Sequence, residues 1–279
     1  MPWTLTDDLD TYLATAGSVV AARPVRNTLL LTVADALRRR GSEAYGEGTP
    51  RFGWWRGEDS RVAGALLWTP PRAVLVGTVP PEAVAPLAEA CAQLGGPAVN
   101  AERGTAEALA AWWRRTGAGV ATVQEQRLYR LGELTPPDPA PPGRSRVATA
   151  ADRALLVEWV GAFRREVGHP VAEAGRAVDD RLAYGGLTLW EHDGVPVSMA
   201  GVTRPAAGTV RVAPVYTPPQ RRGRGYAAAV TASVSGAARA AGAGEVLLFT
   251  DLANPTSNKV YQRVGYRAVA DRVEIAPTA

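Results

Sequence analysis

The chain has 279 residues, 46% hydrophobic and 21% charged, with 31 basic and 27 acidic side chains and a formal net charge of +4. That composition buries a core without a partner, suits one large domain or two of about 140 residues, and excludes intrinsic disorder and a small disulfide scaffold. One cysteine, Cys91, and two histidines, His169 and His192, exclude an internal disulfide and argue against a protein-ligated transition metal.

From the N-terminus, Asp7, Asp8 and Asp10 stand where a signal peptide is basic, and no apolar run reaches the ~18 to 20 residues of a membrane span, so a soluble cytoplasmic protein without a membrane partner is expected. Thr28 to Arg40 reads as an amphipathic helix whose closing arginines meet the negative end of its dipole. Phe52 to Arg56, Val62 to Thr69 and Ala73 to Val79 read as strands. Glu82 to Leu94 reads as a helix, Ala98 to Ala101 as a short strand, Ala106 to Thr116 as a helix, and Gly119 to Leu131 as one or two strands. Five prolines between Thr135 and Gly143 exclude helix and central strand and mark a linker over 135–145. Beyond it, Ala150 to Val167 and Arg176 to Tyr184 read as helices. Leu187 to Glu191, Val195 to Thr203 and Thr209 to Tyr216 read as strands, Tyr226 to Ala241 as a helix, Glu245 to Thr250 as a strand, Pro255 to Val264 as a helix and Tyr266 to Ile275 as the last strand.

The two halves share an order of helix, antiparallel strands, helix, strand, helix, strand, which is an internal repeat of pattern without residue identity. The expected fold is α+β (mixed α/β): two domains, 1–134 and 146–279, each a mixed, mostly antiparallel sheet flanked by helices.

The chemistry concentrates in the second half. All basic residues but Lys259 are arginines, and three of them, Arg221, Arg222 and Arg224, sit among glycines between a predicted strand and a predicted helix. Pro218 and Pro219 stop the strand, and Gly223 and Gly225 let the backbone turn with positive φ close to a ligand. The free amides of the next helix then converge on a point that favours an anion such as a pyrophosphate, to which the arginines add charge-assisted hydrogen bonds. A glycine-containing turn with solvated arginines has the same local sequence. The single lysine rules out a Gly-x-x-x-x-Gly-Lys-Ser/Thr loop, and Ala228 breaks the dinucleotide fingerprint. The first half has Pro80, Pro81 and Glu82 at the equivalent point, which disfavours an anion there.

Gln220, Gly223 and Gly225 together resemble the Gln/Arg-x-x-Gly-x-Gly/Ala loop of the GNAT superfamily of acyl-CoA-dependent N-acyltransferases. A second match runs from Asn254 to Tyr266, where an Asn-initiated helix ends on Tyr261-x-x-x-Gly265-Tyr266. The resemblance covers Leu187 to Tyr266 well and Ala150 to Gly186 more loosely. It implies acetyl-CoA as co-substrate, held by Val215, Thr217, Gln220, Arg221, Arg222, Gly223, Arg224, Gly225, Tyr226, Asn254 and Ser257. It also implies that the Tyr261 hydroxyl stands near the thioester sulfur, and that the first half is a degenerate copy without the loop. Bland roles coexist with these: Asn254 before Pro255 is a helix cap, and Tyr261 shares a face with core residues.

Acyl transfer to an amine needs the amine neutral and the thiolate protonated. Tyr261 is the candidate acid, while Asp251 at a strand end, Glu166 and His169 are candidates for the base. Direct attack on a primary amine of a small molecule or peptide is expected, since Cys91 lies in the half without the loop. A mycothiol-synthase-like activity and a non-catalytic CoA-binding module are the alternatives. Nucleic acid is not expected as a partner, because the basic stretches lack interleaved aromatics.

Overall fold

The computed structural model describes residues 1–168 and 170–278. In chain order the first elements are β1 (Trp3–Thr6), α1 (Leu9–Ala21), α2 (Thr28–Arg40), β2 (Arg51–Arg56), β3 (Val62–Trp68), β4 (Val74–Val76), α3 (Val84–Gln93), β5 (Val99–Glu102), α4 (Arg103–Arg115) and β6 (Gly119–Leu131). They are followed by β7 (Arg144–Val147), α5 (Arg153–Glu166), α6 (Ala174–Leu182), β8 (Leu187–His192), β9 (Val195–Val202), β10 (Thr209–Tyr216), α7 (Tyr226–Ala240), β11 (Glu245–Asp251), α8 (Pro255–Val264) and β12 (Tyr266–Thr278). The second ten elements repeat the first ten in kind and order; the pattern of the sequence predicts this repeat without β1, α1 and β7.

Two compact units result. The first holds Met1–Leu128, Asp251–Ala253 and the segment from Val269; the second holds Tyr129–Thr250 and Asn254–Ala268. Residues 135–145 lie inside the second unit's range. There Thr135 N–H donates to Val264 O at 2.9 Å and Trp190 Nε1 donates to Pro142 O at 3.0 Å, and the segment runs directly into β7, which the sequence did not announce.

In the first unit β1, β2, β3 and β4 pair antiparallel in succession, β4 pairs parallel with β5, and β5 pairs antiparallel with β12. The parallel step occurs where a helix, α3, joins the strands. Helices α1 and α2 cover one sheet face over Phe52, Trp54 and Leu67, and α3 and α4 cover the other over Leu66, Val76 and Val99. Helix α1 escapes the sequence pattern because Gly17, Ser18, Val19 and Val20 are weak helix formers. Tertiary burial of Tyr12, Ala16 and Val20 at four-residue spacing overrides them, and the Asp8 carboxylate caps the Thr11 N–H at 3.0 Å. Arg272 of β12 is buried, 1% exposed. It donates through Nε to Asn100 Oδ1 and through Nη2 to Val76 O and Asn100 O, each at 2.8 Å.

In the second unit β7, β8, β9 and β10 pair antiparallel in succession, and β10 pairs parallel with β11 through α7. Gly265 ends α8 at φ 105°, and a Cβ there would stand 1.8 Å from Glu133 O, so only glycine fits. Arg146 on the edge strand β7 is clasped by Asp152 at 2.7 Å and Glu191 at 2.6 Å. Its hydrogen bond pulls the Asp152 carboxyl down to about 2. A depressed carboxyl stabilises the fold above its unfolded value and loses that contribution as pH falls through the folded one. Arg146→Gln should therefore lower the melting temperature at pH 6 and match the parent near pH 2; a gap independent of pH would refute the linkage.

Candidate active site

Strand β10 carries a bulge between Val212 and Val215, and its parallel register with β11 runs only from Thr209↔Glu245 to Arg211↔Leu247. Beyond that point Val215 and Tyr216 keep their β9 partners, Ala200 and Met199. The end of β10 is pinned from below. Ser198 Oγ donates to Tyr216 O at 3.1 Å and meets Thr217 Oγ1 at 2.8 Å, with Ser198 and Thr217 both buried.

Pro218 then diverts the chain into a single 3-10 turn, Pro219–Arg221. Gly223 at φ 76° and Gly225 at φ 81° occupy the left-handed region that a Cβ strains. Gly225 is the N-cap of α7, and no side chain caps that helix. The first-turn amides of α7 are thus presented at the positive end of a 15-residue dipole, as an anion site requires. Gln220, Arg222 and Arg224 are exposed around this point and Arg221 is half-buried. Tyr226 turns its ring inward, where its hydroxyl meets His192 Nδ1 at 2.9 Å, so only its backbone amide is left for a ligand.

Helix α8 supplies the second motif. Asn254 caps it, Oδ1 accepting the Ser257 N–H at 3.0 Å, which ties up that side-chain oxygen. Asn258 Nδ2 donates to Asn254 O at 2.7 Å, Tyr129 donates to Asn258 Oδ1 at 2.9 Å, and Gln262 Nε2 donates to the Tyr129 hydroxyl at 3.1 Å. This lattice fixes the helix that carries Tyr261. The Tyr261 ring packs on the second unit's apolar cluster, edge-on to Tyr266 at 6.2 Å, and burial pushes its hydroxyl up to about 12. It therefore holds its proton throughout the physiological range.

The three base candidates part company. Glu166, at the end of α5, meets Arg222 Nη2 at 2.6 Å. Asp251 closes β11 and accepts the Ala253 N–H at 2.7 Å, a contact made within the first unit. His169 lies outside the described residues. The partners Ser198, Tyr129, His192 and Trp159 carry no local signal, since each is an ordinary strand or helix residue until the fold sets it beside the loop or α8. In the first unit, α3 starts from Ala83 in right-handed conformation after Pro80, Pro81 and Glu82, without a left-handed glycine. Among the described residues no group of three His, Cys, Asp or Glu side chains could hold a metal ion. No helix of the described residues is long and apolar enough to cross a membrane.

The model of the Acetyltransferase (GNAT) family matches residues 154–266, the span that holds both the loop and α8. These residues are a GNAT-family domain. The GNAT domain is that of an acyltransferase, and the GNAT family generally uses acetyl-CoA. No curated protein matches the chain in sequence. Solved structures match it over its full length. A GCN5-related N-acetyltransferase from Sphaerobacter thermophilus is 16% identical, with 99% of this chain and 95% of that one covered and a TM-score of 0.66. A GNAT-family acetyltransferase from Colwellia psychrerythraea is 12% identical with both chains covered in full and a TM-score of 0.64. A tandem GNAT protein from the clavulanic acid biosynthesis pathway is 14% identical, with 99% of each chain covered and a TM-score of 0.62. At these identities the likeness is one of fold, and it runs over the whole chain.

Proposed function

We propose that the chain is an N-acetyltransferase that moves the acetyl group of acetyl-CoA to a primary amine of a small molecule or peptide by direct attack in a ternary complex in the cytoplasm. The observation that carries this reading is the uncapped N-terminus of α7, set by two left-handed glycines directly after the end of β10. Its amides and the side chains of Arg221, Arg222 and Arg224 suit a pyrophosphate. Gln220 and the Tyr226 amide border the same point, Val215 and Thr217 offer backbone to an extended chain, and Asn254 and Ser257 stand at the start of α8.

The thioester supplies the acyl group, and the chain's own residues manage protons. Tyr261, protonated and poorly hydrated, gives its proton to the departing sulfur, whose conjugate acid has a pKa near ~8.5. Glu166 and Asp251 are the carboxylates proposed to take the proton of the amine. Residues 1–134, proposed as a degenerate GNAT-like domain, leave donor binding to residues 146–279 and bear on stability or acceptor selection.

Titration calorimetry with acetyl-CoA tests the donor site directly. One site per chain is expected, and Gly223→Glu should weaken binding at least about tenfold by setting a carboxylate and a strained backbone where the phosphates bind. Two equivalent sites, or full affinity in Gly223→Glu, would overturn the assignment.

A further inference from the structure

We infer that Arg222 is shared between Glu166 and the phosphates of the acyl donor, so that donor binding uncovers Glu166 for the incoming amine. The inference rests on the acetyl-CoA reading above and adds to it an exchange of partner at Arg222.

Arg222 directly precedes Gly223 in the donor loop, yet its guanidinium is turned toward α5. Nη2 meets Glu166 Oε1 at 2.6 Å, Nε donates to Thr217 O at 2.9 Å, and the group lies over the Tyr216 ring at 5.8 Å. Tyr216 in turn leans on Trp159 of α5, with ring centroids 6.1 Å apart. One cation therefore has two claimants, a carboxylate on the helix and the anion that the loop is built to receive. The side chains of Arg222 and Glu166 are 47% and 46% exposed, which decides between them. A solvated ion pair contributes little, whereas a phosphate held by backbone amides at a helix N-terminus takes a guanidinium through stronger, charge-assisted hydrogen bonds.

While Arg222 covers it, Glu166 is a neutralised pair that gives an ammonium group nothing to approach. Once the phosphates draw the guanidinium across, a lone carboxylate stands beside Tyr216 at the edge of the donor site. It can then attract an ammonium and take its proton. Nε of Arg222 belongs to the same planar guanidinium, so its hydrogen bond to Thr217 O is given up in the same exchange.

Donor binding alone tests this, without knowledge of the acceptor. Acetyl-CoA affinity is measured by calorimetry for the parent chain, Glu166→Gln, Arg222→Gln and the double variant, with acetylpantetheine, which lacks phosphate, as the second probe. Because the competing pair is solvent-exposed, Glu166→Gln should bind acetyl-CoA about two- to fivefold more tightly than the parent. Arg222→Gln should bind it more weakly, and adding Glu166→Gln to Arg222→Gln should change nothing further. Acetylpantetheine should bind the parent and Glu166→Gln equally. The inference is overturned if Glu166→Gln binds acetyl-CoA no better than the parent, if its gain persists without Arg222, or if acetylpantetheine gains as much. Failure of the parent to bind acetyl-CoA is a separate outcome, which overturns the donor reading itself.

Discussion

Tyr261→Phe should lower turnover by about 10²-fold or more while leaving acetyl-CoA affinity within a factor of about two, because general-acid catalysis supplies gains of that size. The substitution deletes one hydroxyl and keeps the ring that packs edge-on against Tyr266. A hundredfold loss corresponds to ~2.7 kcal/mol of barrier, more than a half-buried hydroxyl contributes to folding, so a matching drop in stability would not account for it. The raised pKa of about 12 adds a second expectation. A tyrosine of ordinary pKa loses its proton near pH 10, whereas this one keeps it, so turnover should show no decline through pH 10 that Tyr261→Phe removes. Steady-state kinetics in an acetyl-CoA assay across amine classes checks both. Unchanged turnover returns Tyr261 to the core.

Arg272→Met should be strongly destabilising, at a position outside the candidate active site. Arg272 serves three acceptors within the first unit, Asn100 Oδ1, Asn100 O and Val76 O, and its full burial depresses its pKa to about 10. Methionine fills similar volume and removes the expense of burying a cation, which offsets part of the loss. It still removes the donor these buried acceptors share, and a buried acceptor left without a donor costs about 1–3 kcal/mol, so a net loss of roughly 3 kcal/mol and a fall in melting temperature of about 6–12 °C are expected. Thermal melts of the full chain read this out. A melt within 2 °C of the parent's, as about 0.5 kcal/mol would give, shows that the guanidinium's removal is compensated in full.

Much of the second unit is written locally. Thr217-to-Gly225 announces its turn because prolines and glycines dictate backbone geometry wherever they stand, and Asn254-Pro255 announces the start of α8 for the same reason. What depends on distant chain is silent. Helix α1 forms against its own propensities because Tyr12, Ala16 and Val20 find a sheet to cover. The short β7 gains its identity from β8 and from the grip of Asp152 and Glu191 on Arg146. Expected strand Ala73 to Val79 shrinks to Val74–Val76, since Gly77 N–H turns to Ala65 O and Thr78 N–H to Asn27 Oδ1. Within the site, the pairing of Glu166 with Arg222 joins two residues 56 positions apart, which no motif spacing encodes.

The antiparallel partner of β5 is the stretch Arg272 to Ile275. During synthesis the ribosome therefore delivers everything up to Ile275 before the first unit can close. Until then, Val99 and Ala101 lack the Val273 and Ile275 neighbours that complete their apolar cluster, and an open strand edge waits for its mate. The first unit is in this sense finished after the second, whose residues end at Ala268. A nonsense codon between Ala268 and Arg272 should register first as proteolytic sensitivity among residues 74–102, far away in sequence from the lesion.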